Sequence, residues 1–428
     1  MTLQSLDVLG VFLLCLEIGI TAIYMAYALR VYVFTVVLKR KSKTVPEDDR
    51  PDLRQPFVSI MIPTFNEPNV VDRILKACTS LDYDNYEVIV VDDSTDETIE
   101  KLRRWDRHPR VKVVHREVRE GWKGGALNHG LKFLDPRSEF VLVFDADFVP
   151  PRDIIQRMLR RFTGDDVAAV QGNQWHILNA DENWITKCVR TLTATTYFFD
   201  MVVRQRIGGF TQLCGSVMMI RRRMLEEVGG FGTSITEDWE LTLKLYKHGY
   251  RVVYDETIKV PCECPSTFRR FIRQQARWAE GHTRNFRRYF WSIIRNKKLS
   301  LVRKLDFIFV GCVFLLSLLF IIGQSAVLLE VVLGVFHQSP LPFSLRVLMT
   351  VVMGFAYPLS LRMGLLNDKA PRGKYSIIIA LIMSYLLTPF IAYASLRGLL
   401  LSRGSFHRTF KTGRITREDL LPISLRSS

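Results

Sequence analysis

The sequence is poor in cysteine, with seven in 428 residues, and these form no framework of the kind that staples a small secreted domain. Cys262 and Cys264 make a lone C-x-C without a second pair nearby, and Cys15 and Cys312 fall in apolar stretches. A reducing compartment is therefore expected and a structural zinc site is not. Neither a G-x-x-x-x-G-K-[ST] loop nor a G-x-G-x-x-G turn occurs, which argues against a Walker-type ATPase and a Rossmann dehydrogenase. Ionisable residues are scarce inside the long apolar runs, with few beyond Glu17 and Glu330, and this scarcity disfavours a transporter.

Acids are also the minority charge, 43 Asp and Glu against 59 Lys and Arg, for a formal net charge of +16. Where the excess lies matters more than its size. Lys39, Arg40, Lys41 and Lys43 follow the first apolar run, while Arg287, Arg288, Arg295, Lys297, Lys298, Arg303 and Lys304 precede the next one. Basic clusters beside membrane segments mark the cytoplasmic side, so residues 44–290 are expected to face the cytoplasm. The clusters read as a belt on anionic lipid headgroups rather than as a nucleic-acid surface.

What the chain has in quantity is apolar length. Residues 6–38 are apolar apart from Asp7, Glu17 and Arg30, longer than the roughly 20 residues a helix needs to cross a bilayer. The run exceeds a signal-peptide core and lacks a small-residue cleavage site, so it reads as a retained anchor. A second apolar region, 305–401, divides into 307–336, 347–361 and 376–400 at Pro340, Pro342 and the polar turn 367–374. One span before the middle domain and about three after it are expected. Three later crossings would carry the basic stretch 397–417 to the side opposite the middle domain, against its charge. Either one C-terminal segment is not a full crossing or 307–336 hides another. The expected division is an anchor over 1–43, a globular domain over 44–267, interfacial helices over 268–304, a membrane region over 305–403 and a basic tail over 404–428.

The middle domain alternates β-rich runs at 57–62, 86–91, 111–114 and 140–144 with helical stretches at 70–79, 97–105 and 125–134. This is the pattern of an α/β domain with a mainly parallel sheet, whose ligands bind beyond the carboxyl ends of the strands. Those ends carry Pro63-Thr64-Phe65-Asn66-Glu67, Asp92-Asp93-Ser94-Thr95-Asp96 and Asp145-Ala146-Asp147. At least five carboxylates would gather on one edge, and unpaired they would repel unless a cation sat among them. Two acids separated by one residue can turn to a common side and hold an octahedral Mg²⁺ or Mn²⁺. Asp or Asn after a strand also makes ordinary turns, and Ser234-Ile235-Thr236-Glu237 fits a capping box at a helix start.

Taken in order, Val91-Asp92-Asp93-Ser94-Thr95-Asp96, Lys123-Gly124-Gly125-Ala126-Leu127-Asn128, Phe144-Asp145-Ala146-Asp147, Thr236-Glu237-Asp238 and Gln274-Gln275-Ala276-Arg277-Trp278 resemble family 2 glycosyltransferases. The likeness spans roughly residues 57–290 and points to the membrane-integrated branch containing cellulose, mannan and hyaluronan synthases, with the plant mannan and glucomannan synthases nearest. It implies a GT-A, Rossmann-like catalytic domain. Thr64, Glu67 and Asp93 would hold the nucleoside, and Lys123 and Asp145 would lie at the nucleotide or its diphosphate. Asp147, with Asp145, would bind Mg²⁺ or Mn²⁺. Asp238 would be the general base of an inverting transfer, and Gln274, Arg277 and Trp278 an acceptor-side lid. Cys214-Gly215-Ser216 resembles the acceptor motif of cellulose synthases, although Gln212 and Leu213 stand where two aromatics usually precede it.

The implied partners are a UDP- or GDP-hexose, membrane lipids and a carbohydrate or glycolipid acceptor. Polymer synthesis and lipid glycosylation both stay open. Motif matching leans to the polymer, while four expected spans are few for an export channel. The reading from another class is an inactive scaffold that has kept the fold.

Overall fold

The computed structural model describes residues 3–40, 55–334, 342–369, 376–402, 404 and 410–420. Lys41, Lys43, Pro340 and positions 370–374 of the polar turn lie outside the described residues. The chain begins with one long helix, α1 (Leu3–Lys39). The globular domain then runs β1 (Phe57–Thr64), α2 (Val71–Cys78), β2 (Tyr86–Asp92), α3 (Thr98–Trp105), β3 (Val111–His115), α4 (Trp122–Gly130), β4 (Ser138–Val143), α5 (Ile154–Leu159) and β5 (Val167–His176). After β5 come α6 (Trp184–Thr195), a π-helical turn (Thr196–Asp200), α7 (Met201–Arg206), β6 (Met218–Arg221), α8 (Arg222–Glu227), α9 (Glu237–His248) and β7 (Arg251–Cys262).

The seven strands form one sheet in the order β3-β2-β1-β4-β6-β5-β7, parallel except for β6. Alternate residues feed two cores. Val58, Ile60, Ile62, Val88, Val90 and Leu142 pack under α2, α3 and α5, while Met61, Ile89, Val91, Val141 and Val143 pack on the opposite face. Burial on both faces explains the near-continuous apolar runs, each fully buried Val, Ile or Leu contributing about 1.5–3 kcal/mol. The parallel register aligns Thr64 with Asp92 and Asp92 with His115, so three strands end on one edge. The antiparallel β6 places its entrance there too, since Met218 pairs with Val143 just before Asp145.

Beyond β7 lie α10 (Phe268–Ile294), α11 (Leu301–Gly311), α12 (Leu315–Leu333), α13 (Phe343–Asp368) and α14 (Ser376–Leu400). By length and composition, Val8–Lys39, Leu315–Leu333, Phe343–Asp368 and Ser376–Leu400 could each cross a membrane. The run expected over 307–336 divides in two. Gly311, whose absent Cβ would sit 2.0 Å from Phe286 Cδ2, closes α11 against the domain, and Asp306 within α11 is buried in polar contacts. The segment expected over 347–361 is longer, because Asn367 and Asp368 find partners in Phe198, Trp175 and Arg190.

The contacts also bear on the conflict over the tail. Tyr24 of α1 donates to the Leu316 carbonyl at the start of α12 (2.7 Å), Gly323 lies beside Ile20, and α13 returns to the domain at Asp368. Thus α12 leaves the domain and α13 comes back. α14 then stays on that side: near its start the Ile379 carbonyl meets Cys188 of α6, and near its end Arg397 pairs with Glu280 of α10 at 3.1 Å. Its inner face is buried at Ala380, Met383 and Leu387, while Ile378, Ile382 and Tyr385 are exposed. Apolar enough to cross, α14 packs along α6, α10 and α12, and the chain after it reaches the strand ends, where Lys411 meets Asp147.

Candidate active site

The strand ends open into one cleft of ≈ 1080 Å³ counting its mouth, and it collects nearly all the residues singled out in the sequence. Thr64, Glu67 and Asp93 line one end, Lys123, Asp145 and Asp147 the floor, and Cys214, Gly215 and Asp238 the far wall. Gln274, Arg277 and Trp278 reach in from α10, where Gln274 is buried. Ser216 stands behind the wall, its hydroxyl accepting the Asp145 amide at 3.0 Å.

The carboxylates are not left to repel one another. Asp92 accepts from the Thr64 hydroxyl at 2.7 Å and lies 2.8 Å from His115 Nδ1. Asp93 is gripped by Arg116 through two bonds of 2.7 and 2.6 Å, with Arg119 Nε 3.6 Å away. Asp96 accepts the Thr98 amide at the start of α3. Asp145 pairs with Lys123 at 2.5 Å, and Asp147 with Lys411 at 2.7 Å. Protein cations thus pair with Asp93, Asp145 and Asp147. Among the described residues no group of three His, Cys, Asp or Glu side chains is arranged to hold one. One atom departs from this pattern: Asp147 Oδ1 is buried without a hydrogen-bond partner.

Lys123 joins the two halves of the cleft. Besides Asp145 it donates to the Gly215 carbonyl at 2.6 Å and lies 3.6 Å from Glu237 Oε1. Burial opposes its charge, but Asp145 and Glu237 outweigh burial and raise its pKa. Gly215 has φ +85, and a Cβ there would sit 3.2 Å from Asp238 Oδ2 and 3.4 Å from Lys123 Nζ, so only glycine lets the wall approach so closely.

The start of α9 does not form the capping box that Ser234 to Glu237 spell. Thr236 makes no side-chain cap, because Asn285 of α10 donates to both the Ser234 and Thr236 hydroxyls. Glu237 instead turns towards Lys123, buried, and desolvation pushes its carboxyl up to about 7, opposed by Lys123 and reinforced by Asp238. Asp238 is likewise raised by burial, against Lys123 and Arg277, and accepts the Trp239 amide at 2.8 Å. Arg277 has its own pKa lowered by burial and donates to the Ile235 carbonyl at 3.4 Å.

Several lining residues carried no sequence signal of their own. Arg119 lies over the Phe65 ring, 3.6 Å from its centroid. His176 is buried on the cleft wall, its pKa lowered to about 4 by desolvation. Behind the lining, Glu263, the residue inside the lone C-x-C, is buried, pairs with Arg73 at 2.7 Å, and accepts the Thr412 amide at 3.1 Å. Its own amide donates to Asp147. All seven cysteines are free, including Cys262 and Cys264 beside it.

The chain is 34% identical over 280 residues to glucomannan 4-beta-mannosyltransferase 1 of Oryza sativa subsp. japonica, covering 62% of this chain and 53% of that protein. It is 31% identical over 268 residues to glucomannan 4-beta-mannosyltransferase 2 of Arabidopsis thaliana, covering 59% and 49%. The chain therefore spans about half the length of these relatives. Among solved structures it is similar to the mannosyltransferase PcManGT from Pyrobaculum calidifontis in complex with GDP-Man and Mn²⁺, with a TM-score of 0.61 at 20% identity over 91% of this chain and 100% of that one. That likeness is one of fold, a GT-A-like Rossmann domain joined to long apolar helices. The model of the glycosyltransferase-like family 2 matches residues 55–281, more than half of the chain, and the chain belongs to that family.

Proposed function

We propose that this protein transfers a hexose, with inversion, from a nucleotide sugar to a hydroxyl of a β-linked polysaccharide, and that the donor is GDP-mannose. The observation that carries the reading is the single cleft in which Lys123 touches both Asp145 and the Gly215 wall beside Asp238. The plant relatives' names supply the mannosyl group and the polysaccharide, and the GDP-mannose complex of similar fold supplies the nucleoside. The nucleoside lies at Thr64, Glu67 and Asp93, and the diphosphate at Lys123 and Asp145. Gln274, Arg277, Trp278 and the Cys214-Gly215-Ser216 wall, its hidden Ser216 holding the Asp145 backbone, face the acceptor.

Asp147 with Asp145 would hold Mg²⁺ or Mn²⁺. The unpartnered Asp147 Oδ1 and the all-carboxylate donor set fit such a hard cation. When bound, the ion would supply positive charge to the leaving diphosphate. The chain's own residues do the rest. Lys123 stabilises charge developing on the diphosphate, more in the transition state than in the ground state. Asp238 accepts the proton of the attacking hydroxyl as the bond from its oxygen to the anomeric carbon forms and the bond to the diphosphate breaks. Such a base is worth about 10²–10⁴-fold. The indole face of Trp278 suits the CH surface of a pyranose. The basic residues flanking the spans favour a cytoplasmic position for this domain and the tail, against membrane lipid.

The test is to supply the purified full chain and Mn²⁺ with GDP-mannose, and separately with UDP-hexoses, each radiolabelled. Label in polymer from GDP-mannose is expected, abolished in Asp238→Asn with GDP binding retained. Label confined to organic-extractable lipid would replace the polymer with a lipid acceptor. Undiminished transfer by Asp238→Asn would remove the base, and no transfer from any donor would favour the inactive scaffold.

A further inference from the structure

Arg30 interrupts the apolar run of α1, and the transfer chemistry described above does not use it. Its guanidinium bonds Asp200 Oδ1 at 2.8 Å and Asp306 Oδ1 at 3.1 Å and lies over the Phe34 ring, 4.0 Å from the centroid. Arg204 grips the other oxygen of Asp200 and stands 4.0 Å from Asp306 Oδ2. Two cations and two anions are thus enclosed where α1, the π-helical turn, α7 and α11 meet. Charges withdrawn from water are costly unless each is paired and hydrogen-bonded, so loss of one member leaves its partners uncompensated.

The cluster ends on a loop of the active site. Asp306 Oδ2 accepts the Phe210 amide at 2.8 Å, and Arg204 donates to Gln212 Oε1 at 3.4 Å. At Gly209 an added Cβ would lie 2.6 Å from Asp306 Oδ2, so the carboxylate rests directly on the loop backbone. The same loop is fixed further on by Thr242, which accepts the Leu213 amide, and by Gln171, which accepts that of Cys214. It then reaches the Gly215 carbonyl held by Lys123.

We infer that Arg30 is a positioning residue: it orients Asp306, Asp306 holds the Phe210 amide, and the first membrane helix thereby sets the 207–216 loop that places Gly215 between Lys123 and Asp238. The inference rests on the reading of this cleft as the transfer site. On it, α1 braces the acceptor wall from behind as well as serving as an anchor, and ionisable residues within a membrane helix commonly have a functional role.

The test uses the full chain in lipid nanodiscs with Arg30→Met, Arg30→Lys and the double variant Arg30→Met/Asp306→Asn. Hydrogen exchange over 207–216 reads the loop directly, GDP binding reads the donor end, and mannosyl transfer to a β-1,4-manno-oligosaccharide reads the whole. Arg30→Met should speed exchange at Phe210 and Leu213 by about tenfold. It should lower transfer by ~10–100-fold, as small misplacements near reacting atoms do, while GDP affinity stays within about twofold. Arg30→Lys should recover part of both effects. The double variant should be milder than Arg30→Met, because no carboxylate is left uncompensated. Unchanged exchange in the loop, or transfer and GDP binding falling together in proportion to the folded fraction, would overturn the inference. If the unaltered protein transfers nothing from GDP-mannose, the functional reading fails, whereas the exchange measurement still decides the positioning.

Discussion

Lys411 and Asp147 stand 264 residues apart in the chain and meet at 2.7 Å on the floor of the cleft. Burial opposes ionisation of Asp147, but Lys411 outweighs it and holds the carboxyl below its usual range. Lys411 therefore occupies one oxygen of the residue proposed to bind the metal. The tail is tied down around it: Asn69 donates to the Lys411 carbonyl at 3.1 Å, and Arg73 to that of Gly413 at 3.3 Å.

Lys411→Met should leave a buried carboxylate without its counter-charge, a loss of up to ~3–5 kcal/mol. Because the native pKa of Asp147 is depressed below the ordinary 3.8, its stabilisation is present above that value and is lost only as pH falls further, so the variant should differ from the parent at pH 7 and converge with it only well below pH 3.8. Mn²⁺ should raise the melting temperature of the variant more than that of the parent, since the ion can then take the ammonium's place. Equal stabilisation of both by Mn²⁺ would show that Lys411 and the metal do not compete.

Glu237 gives the opposite pH dependence. Its folded pKa of about 7 lies above the ordinary 4.5, so the group is at its most favourable below 4.5 and costs stability progressively as pH rises towards 7. The cost is at most ~3 kcal/mol, beyond which it levels off. Glu237→Gln should therefore melt higher than the parent at pH 8, with the gap closing towards pH 5. A gap of constant size from pH 5 to 8 would mean that Glu237 is not held protonated by its surroundings.

The course of α12, α13 and α14 makes a prediction about sidedness. In sealed vesicles, single cysteines at Glu418 and Asp181 should react alike with a membrane-impermeant thiol reagent, and one at Phe343, exposed at the start of α13, should show the opposite accessibility. Shared accessibility of positions 343 and 418 would require α14 to cross after all.

The sheet and cleft were legible because both faces of every central strand are buried and the acids cluster where strands end, and both are local features. The ion pairs were not. Nothing in the spacing of Asp93 announces Arg116, and nothing near Asp147 announces Lys411, because the register of β3 and the return of the tail create those contacts. Ser234 to Glu237 satisfied a local capping rule that Asn285 overrode from another helix. Apolar length marked α14 as able to cross a membrane, yet length says nothing about where the two ends pack. Arg30 was visible as an interruption, but its meaning required Asp200 and Asp306, which are remote in sequence.

Gly215 allows the closest test of the two-sided cleft. At φ +85 an alanine is strained, at about 1 kcal/mol, which should lower the melting temperature only slightly. Its methyl group would, however, sit 3.2 Å from Asp238 Oδ2 and 3.4 Å from Lys123 Nζ, closer than most side chains approach. Relief has to come from moving the wall, the ammonium or the base, and each of these spoils the alignment of a transfer reaction far more than it spoils the fold. Gly215→Ala should therefore reduce kcat about 10–100-fold with little change in stability or in the affinity for GDP. Binding of GDP probes the Thr64 and Asp93 end together with Lys123 at the diphosphate but not the base, so an equal loss in both measurements would place Gly215 in donor binding instead of at the junction between Lys123 and Asp238.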